Sequence, residues 1–124
     1  MIKGIHHISM KCRPEELDKV KSFYMGVLGM SLCREWDGGV MFDTGNGLVE
    51  IFTNGTEDMQ KGVINHVAFA TDNVDEVAEK VTEAGYKVFV GPASVVIHSD
   101  PEFPLRMAFC NGPLGEEIEI FCEL

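Results

Sequence analysis

The stretch GIHHISMKC (residues 4–12) and its near-copy VINHVAFAT (residues 63–71) decide how this chain is read. Each is a short run of alternating apolar and polar residues with a histidine at the same place, His7 in one and His66 in the other. In the first run Ile8, Met10 and Cys12 share one side, and Ile5, His7, Ser9 and Lys11 share the other. Period-two alternation predicts a strand with one face on a core.

The segments downstream of the two runs are also alike. After the first, RPEELDK (13–19) opens a helix, with Pro14 in the first turn and Glu15 and Glu16 at the positive end of the dipole. Leu17, Val20, Phe23, Tyr24, Val27 and Leu28 keep helical spacing, and Gly26 or Gly29 ends the run. Strand-like segments at about 30–36, 40–44 and 48–53 are separated by DGG (37–39) and GNG (45–47). After the second, Asn73 is a candidate N-cap with Glu76 three residues on. Val74, Val77, Ala78, Val81 and Ala84 form the apolar stripe of a helix that Gly85 stops. Strands are then expected near 86–90, 105–110 and 117–122, with NGPLG (111–115) as a turn.

Each half therefore reads βαβββ, and LVEIFT (48–53) matches EIEIFC (117–122) as the opening runs match each other. A repeat of half the chain predicts an α+β fold of two modules, 1–56 and 62–124, about a pseudo-twofold axis in one domain spanning 1–124. The second module is longer through GPASVVIHSDPEFP (91–104), which reads as a loop long enough to cover a pocket.

The 124 residues and the net charge of −10 narrow the function. A single core is expected from the length. The acidic balance argues against a nucleic-acid partner, which needs clustered Lys and Arg. No apolar run is long enough for a membrane span. Cys12, Cys33, Cys110 and Cys122 have no CxxC spacing and read as reduced core residues of a cytoplasmic protein.

Superposing the halves puts His7 on His66 and Glu50 on Glu119. All four fall on the face away from the helix, among Leu48, Phe52 and Phe121 and the small Ser9, Ala68 and Ala70. A solvated face does not mix residues this way; a concave sheet lining a pocket does. Carboxylates on such a wall are costly unless paired or bound to a cation. Two His and two Glu suit a divalent first-row ion: nickel or zinc first, with cobalt, manganese and iron also open.

IHHISM, FYMGVLGM (23–30), LVEIF, INHVAFATDNVDE and GPLGEEIEIF together resemble the vicinal oxygen chelate superfamily, the glyoxalase/bleomycin resistance protein/dioxygenase group, over essentially the whole chain. The resemblance implies a U-shaped mixed sheet around a metal held by His7, Glu50, His66 and Glu119, with His6 outside the ligand set. The full His/Glu/His/Glu set is most similar to glyoxalase I. That implies proton transfer beside a carbonyl in the hemithioacetal of a 2-oxoaldehyde, through an enediolate, with Glu119 as principal base and Glu50 as its counterpart. It also implies thiol contacts from Asn54 and Lys11; both equally fit plain surface positions at strand ends. Lys11 stands where those enzymes carry Arg, and it lacks the bidentate fork. Trp36, Phe42, Met107 and Phe109 are candidates for a pocket wall or for core. Arg34 and Arg106 are candidates for an anion or for surface, and His98 for a lid or for solvent. The partner implied is a small molecule, and the assembly a homodimer. An acyl-thioester epimerase, an extradiol-type dioxygenase and a drug- or metabolite-binding resistance protein are the alternatives that the same family implies.

Overall fold

The computed structural model describes residue 1, residues 3–57 and residues 64–124. The chain divides into two compact units, Met1–Gln60 and Lys61–Leu124. Of the boundary expected between the modules, residues 58–61 lie outside the described residues, as do residues 62 and 63 at the expected start of the second module.

The first unit runs β1 (His7–Lys11), a helical segment, β2 (Ser31–Trp36), β3 (Gly39–Asp43) and β4 (Leu48–Phe52). Its sheet has the order β1-β4-β3-β2, with β1 parallel to β4 and the other pairs antiparallel. The helical segment is not one α-helix. A 3₁₀ turn (Pro14–Glu16) leads into α1 (Leu17–Lys21) and then a π turn (Ser22–Val27). The Arg13 amide donates to Glu16 Oε1 at 2.9 Å, which satisfies one of the orphan donors at the helix start. At the other end the Leu28 amide donates to the Phe23 carbonyl five residues back. This wider turn keeps both Phe23 and Tyr24 buried side by side. Tyr24 stacks on Phe42 of β3 with ring centroids 5.7 Å apart. Val20, Val40, Val49 and Ile51 complete the core.

The second unit runs β5 (Val67–Ala70), α2 (Val74–Glu83), β6 (Val88–Ile97), β7 (Phe103–Asn111) and β8 (Glu117–Glu123). Its sheet order, β5-β8-β7-β6, repeats the first, again with one parallel pair. Asn73 caps α2 by accepting from the Glu76 amide at 3.1 Å. Gly85, at φ +90°, ends the helix in a conformation that side chains resist, and the Tyr86 amide reaches back to the Val81 carbonyl. Val74, Ala78 and Val81 are buried and α2 lies against β6, β7 and β8. Arg106 of β7 grips Asp75 with two hydrogen bonds, one of 2.6 Å, so the helix is also tied to the sheet by charge.

Both units are α+β, each a βαβββ module with a four-stranded mixed sheet, in agreement with the sequence pattern. One expectation needs correcting. Residues 91–104 are not a covering loop. They belong to a hairpin in which β6 extends to Ile97 and β7 starts at Phe103. Gly91 and Pro92 read as a strand end. In fact they sit at register shifts on an edge strand, where a proline's missing N–H breaks no ladder. A Cβ on Gly91 would lie 2.5 Å from the Met107 carbonyl oxygen, so the bulge requires glycine.

Candidate metal centre

Strand register sets the site in each half. In the first, Ser9 of β1 lies beside Glu50 of β4, which lies beside Met41 of β3, which lies beside Arg34 of β2. In the second, the corresponding row is Ala68, Glu119, Phe109 and Val90. His7 and His66 stand two residues before the first member of each row, so each imidazole sits one pleat away from its carboxylate on the same face. The neighbours on either side of the glutamates, Val49 and Ile51 in one strand and Ile118 and Ile120 in the other, are buried on the opposite face.

The side chains meet accordingly. His7 Nε2 is 3.7 Å from Glu50 Oε1, with side chains 40% and 10% exposed. His66 Nε2 is 3.0 Å from Glu119 Oε2, with side chains 32% and 14% exposed. The structure thus brings each histidine to the glutamate of its own half. The other ring nitrogen is also engaged: His7 Nδ1 lies 2.9 Å from His6 Nδ1, and His66 Nδ1 lies 2.8 Å from Asn65 Oδ1. Phe109 packs edge-to-face on His66 at 5.0 Å.

Each pair fits a divalent first-row ion in donor chemistry: one imidazole nitrogen and one carboxylate oxygen, the latter set in a wall of Ser9 and Met41 or of Ala68 and Phe109. A carboxylate so enclosed gains from a cation. Within each half, among the described residues, no third His, Cys, Asp or Glu joins the pair to form a metal-holding group.

The other candidates sort themselves by contact. Lys11 ends β1 and is paired in register with Phe52, while Asn54 lies two residues beyond Phe52; both are exposed at one end of the β1–β4 pair. At the matching end of β5 and β8 is a cavity of about 380 Å³ lined by Ala70, Thr71, Asp72, Phe121, Cys122 and Glu123. Phe42 is core, buried against Tyr24. Trp36 is exposed and meets Phe52 edge-on at 5.9 Å. Met107 and Phe109 are half-buried. Arg106 is committed to Asp75, and Arg34 donates to Met41 Sδ at 3.2 Å. His98 is exposed, 3.2 Å from Glu102.

Only two of the four free cysteines are core: Cys12 and Cys110 are buried, whereas Cys33 is exposed and Cys122 half-buried. Burial, with the Glu116 charge adding to it, pushes the Cys110 thiol up to about 11, so it is inert at neutral pH. Sequence reasoning set His6 aside and passed over Asn65. Their equivalence was visible when the halves are aligned, since each immediately precedes the histidine.

No helix among the described residues is long and apolar enough to cross a membrane. Among curated proteins none matches the chain. Solved structures share its fold. One is a variant of glyoxalase I from Zea mays (TM-score 0.77, 23% identity), which covers 94% of this chain while this chain spans 43% of that one. Another is a glyoxalase family protein from Enterococcus faecalis (0.73, 21%, covering 97% of this chain and 98% of that one). A third is a glyoxalase/bleomycin resistance protein/dioxygenase from Alicyclobacillus acidocaldarius (0.69, 15%, 96% and 90%). The sequence profile of one family matches residues 4–120, and by that match the chain belongs to the Glyoxalase/Bleomycin resistance protein/Dioxygenase superfamily.

Proposed function

We propose that this chain is a divalent-metal-dependent lyase of the glyoxalase I kind, isomerising the hemithioacetal formed by a thiol and a 2-oxoaldehyde through an enediolate. The observation that carries this reading is the repeated register, which sets His7 beside Glu50 and His66 beside Glu119. We assign these four side chains as donors for a nickel or zinc ion. When bound, the ion supplies Lewis-acid polarisation of the substrate carbonyl. Glu119 takes the proton from one carbon and returns it to the next, and Glu50 is its counterpart. The half-buried Phe109 and Phe121 on the face of Glu119 keep water from the proton in transit. Asn54 and Lys11 bind the thiol part of the substrate. The working form is a cytoplasmic homodimer acting on a small molecule.

The test is metal analysis of the purified protein together with a methylglyoxal–thiol isomerisation assay after nickel or zinc loading. Stoichiometric metal and turnover are expected; turnover with no common thiol would sink the lyase reading. The longer separation in the first pair favours one second reading. If Glu50 turns away, two His and Glu119 remain, the three-donor set of the ring-cleaving dioxygenases. Unchanged metal content in Glu50→Gln, with no isomerisation by the wild type, favours that reading.

A further inference from the structure

We propose that Asn65 and His6, each immediately before a candidate ligand, are positioning residues that hold Nδ1 of His66 and His7 and so leave Nε2 as the metal-binding nitrogen. This rests on the metal reading above and goes beyond it, because it assigns work to two residues outside the donor set.

The geometry is the same in both halves although the residues differ. Asn65 Oδ1 lies 2.8 Å from His66 Nδ1, and His6 Nδ1 lies 2.9 Å from His7 Nδ1. In each case Nε2 is the nitrogen that faces the carboxylate. An imidazole that ligates through one nitrogen carries its proton on the other, and the partner of that N–H fixes the ring's orientation. Asn65 Oδ1 can only accept, so the His66 Nδ1–H donates to it. His6 accepts from the His7 Nδ1–H when its own proton sits on Nε2. The two holders differ in strictness: an amide oxygen is always an acceptor, whereas the His6 nitrogen is one in a single tautomer. Phe109, edge-on to His66 at 5.0 Å, adds a second restraint in that half; in the other, His6 itself stands edge-on to His7 at 5.2 Å. Asn65 is exposed and its side chain is not needed for the core.

The experiment uses the full chain, with ring-nitrogen NMR of the metal-free protein and zinc titration, for wild type, Asn65→Leu and Asn65→Asp. In the wild type a hydrogen-bonded Nδ1 proton is expected on His66, lost in Asn65→Leu and retained in Asn65→Asp. Zinc affinity should fall about 10- to 100-fold in Asn65→Leu and be restored in Asn65→Asp, with thermal unfolding unchanged. An Nδ1 signal and a zinc affinity that are both indifferent to Asn65→Leu would overturn the positioning role. Failure of the wild type to bind zinc at all is a separate outcome. It overturns the metal reading, and with it any role in ligation, whatever the ring spectra show.

Discussion

The two halves carry the same row of backbone positions and different side chains around it. In the second half the imidazole is pinned on three sides: Asn65 at Nδ1, Glu119 at 3.0 Å from Nε2, and the Phe109 ring packed edge-to-face against it. In the first, His7 is more exposed, its carboxylate is 3.7 Å away, and its Nδ1 leans on another histidine. Beyond Glu50 the row continues to Met41 and Arg34; beyond Glu119 it continues to Phe109 and Val90. Register alone puts a carboxylate next to an imidazole. How firmly the two are held is decided by the residues flanking them, and there the halves have diverged.

The largest effect that would break this comparison is kinetic. If the tighter pair holds the working base, Glu119→Gln lowers turnover of a methylglyoxal hemithioacetal by about 10²–10⁴, and Glu50→Gln lowers it less. Equal losses, measured as kcat at saturating metal, would mean that the two carboxylates share the work and that the tighter contact carries no functional weight.

Next come the cores. Among the described residues the first half buries the aromatic Phe23, Tyr24 and Phe42, whereas the second buries aliphatic side chains such as Val81, Leu105, Ile118 and Ile120. Phe23→Ala should cost about 3–5 kcal/mol in urea unfolding, and Val81→Ala about 2 kcal/mol. The reverse order would show that the π turn can collapse onto the gap. The helix starts differ too. Asn73→Ala removes a side-chain cap and should cost about 1 kcal/mol by the same measurement, and no change would argue that water replaces it.

The smallest effect concerns acid. Glu16 is held below the ordinary carboxylate range, chiefly by the Arg13 amide, and Asp75 by its hydrogen bonds to Arg106. Both depressions favour the folded state at neutral pH, and both contributions fade as pH falls through the folded values. The Asp75 contact is exposed, so salt should weaken its share, while the Glu16–amide bond should resist salt. Acid titrations of Glu16→Gln and Asp75→Asn at low and high ionic strength separate the two.

The strands, helices and repeat were legible because alternation, caps and glycine stops are local. Asn73 and Gly85 sit where the spacing placed them, and the faces of β4 and β8 agree with LVEIF and EIEIF. Two things were not legible. The hairpin of β6 and β7 was hidden because Gly91 and Pro92 read as a stop unless the strand is known to lie at an edge. The wider turn at Ser22–Val27 was hidden because i, i+3, i+4 spacing is nearly the same for a helix with one loosened turn. For the site, the four candidate donors were visible as a repeat, and the pairing within each half is a product of register. The hold on Nδ1 was not visible, since nothing in NH or HH tells which ring nitrogen a neighbour will reach.

The broken edge of β6 has a consequence for how this chain behaves in company. Phe89, Val90, Val96 and Ile97 are greasy and exposed along a strand whose outer rim is unpaired within its own sheet, which is the usual recipe for chains zipping together into fibrils. Gly91 and Pro92 break that rim with two register shifts and a residue that has no N–H to offer, which disfavours a stranger's strand lying flat along its whole length.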